Sequence, residues 1–212
     1  MTKQEAIDLI KLRLGSREDT DLDLLLAGEL SLSQTELEAT APFYWFCIKD
    51  SSGLATIAAQ SWISLPSDFI IEIDEMVLEI TFDGVAWVPL QKADRDNVIS
   101  KYGVTPGQPE AYSLVGKKLH FGPIPDAVYS VRLTYQGRDV NISALAAGGT
   151  NEWLTEAADY LTAHTGLKAA LWIKDSAAGQ VFSGLLQAAK ARLDTLQVAR
   201  EEANRDRNMG DD

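Results

Sequence analysis

The spacing of the apolar residues changes twice along the chain, and this change limits the folds that it can adopt. In residues 1–42 and 148–207, apolar side chains recur every three or four positions, as they do on one face of an α-helix. Between these segments, short apolar or alternating runs are separated by Gly, Pro, Asp and Ser, which is typical of strands joined by turns. The pattern predicts an α+β protein in which a helical bundle carries a β-rich antiparallel insertion.

Two helices are predicted in the N-terminal segment. Thr2 and Glu5 form a capping box for the first helix, which ends at Gly15. A second helix is predicted over residues 19–40, because leucines recur at helical spacing behind three aspartates that favour a helix N-terminus. Pro42 is expected to end it.

The middle of the chain has the pattern of antiparallel strands. Asp83-Gly84 is a typical hairpin turn, and a short helix is predicted over Lys92–Tyr102. In one run Ile71 and Ile73 alternate with acidic residues, so that Glu72 and Asp74 are interpreted as a solvated strand face. The predicted strands are Leu54–Ala58, Trp62–Leu65, Phe69–Ile73, Val77–Phe82, Ala86–Leu90, Ala111–Val115, Lys118–Phe121 and Tyr129–Tyr135.

Helix resumes after a flexible connection over Ser143–Thr150. Asn151 can cap a helix that continues to about Lys174, and a last helix is predicted over Ala177–Arg207. The last helix has a heptad-like stripe that suits a partner helix, formed by Phe182, Leu186, Ala189, Leu193 and Leu196. The predicted domains are therefore a helical bundle (1–42 with 148–207) and a β-rich insertion (43–147), followed by a disordered tail (208–212).

Charge and composition narrow the function. The net charge is −12, and seven acids against one base lie between Pro42 and Leu90, so that tight binding to duplex DNA is not expected. With 46% apolar residues the chain can bury a core, and the single Cys47 cannot form an internal disulfide. The sequence shows neither a signal peptide nor a twenty-residue apolar span, so we expect a reducing compartment and no membrane partner.

The residues that could carry chemistry are few. The two histidines, His120 and His164, lie in a β-run and on a helix, and no serine or cysteine sits in a nucleophile motif. No pair of Cys or His has ligand spacing. Glu72 and Asp74 could hold a hard cation or act as paired carboxylates, but a solvated strand face explains them more simply. The chain is therefore predicted to be no enzyme and to bind no metal or cofactor.

A run of four aromatic residues, Phe43, Tyr44, Trp45 and Phe46, follows Pro42. Successive residues of a strand point to opposite sides, so not all four rings can enter one core. Some of them are expected to bury against another element or another subunit. Because no basic residues are interleaved with the rings, stacking on nucleic-acid bases is not expected.

Taken in order, several segments resemble the head-to-tail adaptor (neck or connector) proteins of tailed bacteriophages. The resemblance spans nearly the whole chain and depends on order and spacing, since each segment is short. The segments are Arg13-Leu14-Gly15, Thr20–Asp23, Gln34 with Glu36–Glu38, Trp45-Phe46, Leu65–Phe69, Glu72–Glu75, Trp87–Leu90, Tyr112–Leu114, Leu119–Asp126, Tyr129–Tyr135 and Asn151–Leu154.

The resemblance implies a structural virion protein and no catalytic residues. Members of this family assemble as a ring, commonly of twelve copies, between the portal vertex and the tail. The expected partners are the portal protein, tail proteins (nozzle, tube or fibre) and further copies of the chain, while DNA passes through without specific binding. The expected location is the neck of the virion, with the host cytoplasm as the place of assembly.

Three groups of residues are then candidates for assembly. A portal or subunit interface is expected on the last helix, at Phe182, Leu186, Leu193, Leu196, Arg200, Arg205 and Arg207. Subunit or inter-element contacts are expected at Phe43, Tyr44, Trp45 and Phe46, and an electronegative channel wall at Glu72, Asp74, Glu75 and Glu79. The alternatives are another tail-completion or scaffold-like binding protein and a carbohydrate-binding or hydrolytic module that uses the acidic β face.

Overall fold

The computed structural model describes residues 1–16, 20–40, 44–73 and 78–208, without the side chains of Thr20, Ser52 and residues 203–208. The fold is α+β, as predicted. The chain divides into a helical unit, Met1–Cys47 with Arg138–Asp212, and a β-rich unit, Ile48–Gly137. The domain limits inferred from the sequence stay a prediction.

The helical unit contains five α-helices among the described residues. The two long predicted helices at either end of the chain are confirmed, and the second helix runs unbroken through Gly28. Short 3₁₀ turns lie at Trp45–Cys47 and Ile142–Ala144. The helices are α1 (Lys3–Arg13), α2 (Thr20–Glu38), α4 (Glu152–Glu156), α5 (Ala158–Trp172) and α6 (Ser176–Asn208); α3 belongs to the β-rich unit.

The start of α1 confirms the predicted capping box and corrects the prediction of a flexible connection at 143–150. Thr2 Oγ1 accepts the amide of Glu5, whose carboxylate accepts the amide of Thr2. The next amides of the first turn have no partner within a helix, and those of Lys3 and Gln4 donate to the carbonyls of Gly149 and Ala147, each at 2.9 Å. The connection is therefore held in place because it completes the helix terminus.

The core of the helical unit lies between α5, α6 and the N-terminal helices. Phe182 on α6 is fully buried, and its ring occupies the space above Gly166 on α5. Ile10, Leu26 and Leu30 add their side chains from α1 and α2. Helices of this length depend on such burial, since an isolated helix is marginally stable in water.

One helix was predicted from Asn151 to about Lys174, and this prediction is wrong at Ala157. The backbone there leaves helical geometry (φ −130°, ψ 28°), which separates α4 from α5. Asn151 does cap α4, with its side-chain oxygen accepting the amide of Leu154 at 3.0 Å. The Thr155 hydroxyl donates to the Asn151 carbonyl at 2.9 Å, a local bond that competes with regular helix geometry.

The β-rich unit contains two larger sheets and one small parallel pair. The elements are β1 (Ile48–Ala55), β2 (Trp62–Ser64), β3 (Phe69–Glu72), β4 (Leu78–Thr81), β5 (Val88–Pro89), β6 (Gln91–Lys92), α3 (Arg95–Tyr102), β7 (Pro106–Gly107), β8 (Ala111–Val115), β9 (Lys118–Gly122), β10 (Ile124–Pro125) and β11 (Ser130–Gly137). The five-stranded sheet has the order β1-β11-β4-β5, with β3 also paired to β11, and the four-stranded sheet has the order β2-β9-β8-β6.

Strand β11 is the centre of the five-stranded sheet. Its alternating Val131, Leu133 and Tyr135 are buried, as the period of two requires for a half-buried strand. It pairs antiparallel with β1 on one side and with β3 and β4 on the other. The predicted turn at Asp83-Gly84 is confirmed between β4 and β5, where Gly84 has a φ of 77°.

Three predictions for this unit are corrected. The strand expected at Leu54–Ala58 begins earlier, at Ile48, because β11 pairs with the polar segment before Leu54 across a bulge at Ser51/Leu54. The helix expected from Lys92 begins at Arg95, since Lys92 belongs to β6, which pairs with β8. Ile71 in β3 and Ile73 directly after this strand are exposed, and the Glu72 side chain between them is more buried.

Candidate functional site

A buried polar network lies where α2 ends and α4 begins. The Oε1 atom of Glu38 accepts three hydrogen bonds, from the Trp153 indole nitrogen at 3.1 Å, the Gln34 side-chain amide at 2.8 Å and the Asp139 backbone amide at 3.1 Å. Glu38 is only 5% exposed, so these donors replace the water that the carboxylate loses on folding.

Gln34 and Asn151 extend this network to the segment that re-enters the helical unit. The Gln34 side-chain oxygen accepts the amide of Ile142 at 2.9 Å, and the Asn151 side chain donates to the Val140 carbonyl at 2.7 Å. The network therefore fixes the path of residues 139–142 against α2 and α4. It joins two of the segments that carry the resemblance, Gln34–Glu38 and Asn151–Leu154.

The aromatic run after Pro42 is placed mainly inside the helical unit. Tyr44 and Phe46 are buried, with rings stacked at 5.6 Å, and Phe46 meets Trp153 edge to face at 5.0 Å. Trp45 is half-buried, and Phe43 lies outside the described residues. The described rings thus bind elements of their own unit, and a role in subunit contacts stays a prediction.

The same segment holds the later part of α6. The backbone amide of Trp45 donates to Gln197 Oε1 at 3.0 Å, and the Tyr44 hydroxyl donates to Asp194 Oδ1 at 3.3 Å. The Arg200 guanidinium lies 4.3 Å from the centroid of the Trp45 ring, within cation–π range. These contacts continue past Leu193, the last buried apolar residue of the described part of α6.

The residues predicted for an interface on α6 differ in how deeply they are buried. Phe182 and Leu193 are fully buried in the core of the helical unit, and Leu186 is partly buried. Leu196 is 41% exposed and Arg200 is exposed. Arg205 and Arg207 lie beyond the residues whose side chains are described. Within the predicted set, the side chains that the structure places on the outside are therefore those of Leu196 and Arg200.

The acidic residues predicted to line a channel have basic partners where they are described. Glu72 forms an ion pair with Lys92, and Glu79 forms one with Arg132, whose Nε donates to it at 2.6 Å. Asp74 and Glu75 lie outside the described residues. Two of the four predicted acids therefore contribute less negative potential than the sequence suggests, because a neighbouring base offsets each of them.

His164 lies between two helices with Ser33 and Glu36 beside it. Its Nδ1 is 3.0 Å from the Ser33 hydroxyl, and its Nε2 is 3.9 Å from a Glu36 carboxylate oxygen. Burial, followed by the nearby Lys168 ammonium, lowers the pKa of His164. Ser33 is fully buried, and the group of three side chains connects α2 to α5.

In the part of the chain that the structure describes, no three His, Cys, Asp or Glu side chains are grouped so that they could hold a metal ion. No helix in the same residues is long and apolar enough to cross a membrane.

The buried network and the ion pairs were not predicted from the sequence, because their members are far apart in the chain. Glu38 and Trp153 are separated by more than a hundred residues, and no local pattern links them. A polar residue at a buried helical position was the available signal, since Gln34 and Glu38 continue the inward face of α2.

The comparison with protein families covers almost the entire chain. The SU10 adaptor protein family matches residues 1–210. No curated protein sequence matches the chain. Both units, and the network that joins the motif segments of the helical unit, lie within the matched region. The chain therefore belongs to the SU10 adaptor protein family, a family of phage head-to-tail adaptors, and its role is that of a structural protein of the virion neck.

Proposed function

We propose that this adaptor assembles into a ring of twelve copies that joins the portal vertex to the tail and continues the DNA channel. The observation that carries this proposal is the family match over residues 1–210, which includes the helical unit and the β-rich unit together. A closed ring needs a heterologous contact, in which one surface of the chain binds a different surface of the next copy. The chain would therefore carry at least two separate assembly surfaces.

The helical unit offers apolar side chains for binding the portal or a neighbouring subunit. Leu171 and Trp172, at the end of α5, are exposed, as are Val181, Leu196 and Val198 along α6. Exposed large apolar groups of this kind commonly mark protein interfaces. We assign the interface role to these residues, with Arg200, Arg205 and Arg207 in the charged end of the helix. Phe182 and Leu193 act indirectly, because they hold α6 on its own unit.

The Trp45 contacts make the interface testable without loss of the fold. A chain that ends at Arg200 keeps the stacking of Arg200 on Trp45 and the bond from Trp45 to Gln197. It loses the charged end of α6 that we assign to the portal. This truncated chain should remain folded and bind portal rings at least tenfold more weakly. Unchanged binding would remove the last turns of α6 from the interface.

The channel wall is proposed to include Glu72, Asp74, Glu75 and Glu79. Their effect on DNA would be weak repulsion, so that the duplex slides without being held. Lys92 and Arg132 offset the charges of Glu72 and Glu79, which lowers the contribution of these two residues. Asp74→Asn with Glu75→Gln should leave ring assembly unchanged and slow DNA ejection from assembled particles.

The two compact units are proposed to be the two domains of the protein, and its role is proposed to be non-catalytic. The buried position of Ser33 beside His164 supports this, as do the ion pairs that engage Glu72 and Glu79. Purified portal mixed with the chain and imaged by electron microscopy tests the whole proposal. A new ring of density on one end of the portal supports it, and portal without added density contradicts it.

A further inference from the structure

Three loops meet at one end of the five-stranded sheet, and each exposes one β-branched apolar residue. Ser130 of β11 pairs with Ala55 on one side and with Thr81 on the other. The segments that follow β1, precede β11 and follow β4 therefore lie at the same end of the sheet. The residues at the loop tips are Ile57, Val85 and Val128, which are 51%, 82% and 68% exposed. We call this surface the apolar end.

The loops of the apolar end are held by hydrogen bonds. Thr56 donates its amide to the Tyr129 carbonyl at 2.9 Å and its hydroxyl to the Ala127 carbonyl at 3.0 Å. Asp83 Oδ1 accepts the amides of Val85 and Ala86 at 2.8 and 2.9 Å. A surface that is ordered before binding loses less conformational entropy when a partner binds.

One residue beside the apolar end also has a strained backbone. Ala59 has a φ of 62°, in the left-handed region that side chains with a Cβ disfavour. Its amide donates to the Pro125 carbonyl at 2.8 Å, and this bond holds the conformation in place. Such strain persists where the surrounding structure fixes the loop, often at a functional surface.

The rim of the apolar end is acidic. Asp83 and Asp126 are exposed beside the three tips. The carboxylate of Asp83 accepts hydrogen bonds from the amides of Val85 and Ala86. These bonds lower the pKa of Asp83, so that it is ionised at neutral pH. An apolar centre with an acidic rim suits a partner surface that is apolar at its centre and basic around it.

The same unit carries a surface of that kind at the turn between β8 and β9. Val115 is exposed there, and Lys117 and Lys118 follow it with exposed side chains. The Lys118 ammonium lies 3.5 Å from the centroid of the half-buried Trp62 ring. We call this turn, Val115–Lys118, the basic tip.

The apolar end and the basic tip are different surfaces of one unit. The basic tip closes the hairpin of β8 and β9, where Val115 pairs with Lys118. Beyond the other end of β9, Gly122 leads to Pro125, whose carbonyl accepts the amide of Ala59 beside the apolar end. The length of β9 therefore lies between the two surfaces.

We propose that the apolar end of one copy binds the basic tip of the next copy around the ring. The occupant is a second copy of this chain because the two surfaces complement each other in charge and are different surfaces of one unit, as a heterologous contact requires. The inference rests on the proposed ring and specifies which surfaces of the β-rich unit close it.

Cross-linking between two introduced cysteines tests this contact. The chain contains one cysteine, Cys47, which is buried and leaves the wild type as an unreactive control. Lys117→Cys combined with Val128→Cys, treated with a short bismaleimide under conditions where microscopy shows rings, should give a ladder of covalent oligomers beyond the dimer. Either single variant should stop at monomer and dimer, since it has one reactive site per copy.

Charge reversal gives an independent measurement of the same contact. Lys117→Glu should raise the dissociation constant for self-association by about tenfold, and Asp126→Lys in the same chain should restore part of the loss. Rings that form without a ladder and without a response to Lys117→Glu would overturn this contact and leave the proposed ring intact. If no ring forms at any concentration, with or without purified portal, the proposed function fails and this inference fails with it.

Discussion

Lys174 occupies a backbone position that favours glycine. It follows α5 with a φ of 57°, the amide of Asp175 donates to the Ala170 carbonyl at 2.9 Å, and the amide of Lys174 donates to the Leu171 carbonyl at 3.2 Å. This is a Schellman motif with a non-glycine residue in the left-handed position. Lys174→Gly should therefore raise the free energy of unfolding by about 1 kcal/mol.

Urea denaturation measures this difference, and Lys174→Ala is the matched control. The alanine variant also removes the charge but keeps the Cβ atom, so it should not gain stability. If both variants change the unfolding free energy equally, the charge rather than the backbone conformation determines the effect.

His164 should make stability depend on pH below neutrality. Burial and the Lys168 ammonium lower the pKa of His164 in the folded state, while Glu36 and Glu29 oppose the shift. The unfolded chain therefore binds the proton more readily, and stability falls as the pH drops through the unfolded pKa of about 6.5. His164→Gln should flatten the change in urea midpoint between pH 7.5 and 5.5.

His120 is the second histidine with a lowered pKa, and it provides the control. His120→Gln should leave the part of the pH dependence that belongs to His164. An equally steep loss of stability on acidification in the His164→Gln chain would contradict the assignment.

At the residue scale, the sequence predicted local features and missed those made by distant residues. The capping of α1 by Thr2 and of α4 by Asn151 follows from residues three positions apart. Glu38 also accepts hydrogen bonds from Trp153 and Asp139, which are about a hundred residues away in the chain, and only the fold brings these residues together. The orientation of Glu72 was missed for the same reason, because Lys92 holds it from another strand.

The contact between α5 and α6 depends on a glycine. A Cβ atom at Gly166 would lie 2.1 Å from Cε1 of the Phe182 ring, which is fully buried. Gly166→Ala should therefore lower the free energy of unfolding by about 2–3 kcal/mol, since the ring cannot move away without displacing the core. Thermal or urea denaturation measures this loss.

Gly184 on α6 is the matched control. A Cβ atom there would have no neighbour within 4 Å, and the residue is exposed. Gly184→Ala should raise stability by about 0.5–1 kcal/mol through helix propensity alone. A Gly166→Ala chain that is as stable as Gly184→Ala would contradict the packing described between the two helices.

At the scale of elements, long periodic segments were predicted well and short strands less well. The boundaries of α2 and α6 agree with the leucine spacing to within two residues. The predicted start of β1, Leu54, lies six residues after the observed start, because Lys49–Gly53 is polar. The backbone of this polar segment pairs with β11, and the pattern of side chains does not indicate such pairing. The break at Ala157 has no glycine or proline to indicate it.

At the scale of the whole molecule, the β-rich unit should fold without the helices. Ile48 pairs with Gln136, so both ends of the segment 48–137 leave the unit side by side. It has its own buried core, which includes Leu78, Tyr112 and Leu133. The isolated segment should give dispersed amide resonances and a cooperative unfolding transition.

The reverse variant, with residues 48–137 replaced by a short Gly-Ser linker, should keep the helical unit folded. The hydrogen bonds of Glu38 and Gln34 to residues 139–142 do not involve the removed segment. An isolated β segment without a cooperative transition would contradict the division of the chain into two domains.

Binding to portal tests the proposed assembly of the adaptor ring most directly. The purified chain is added to purified portal rings, and the complex is imaged by electron microscopy with symmetry determined from the images. We expect one additional ring of twelve copies on a single end of the portal, with a channel along its axis. Portal rings that show no added density at any ratio of the two proteins would contradict the proposed assembly.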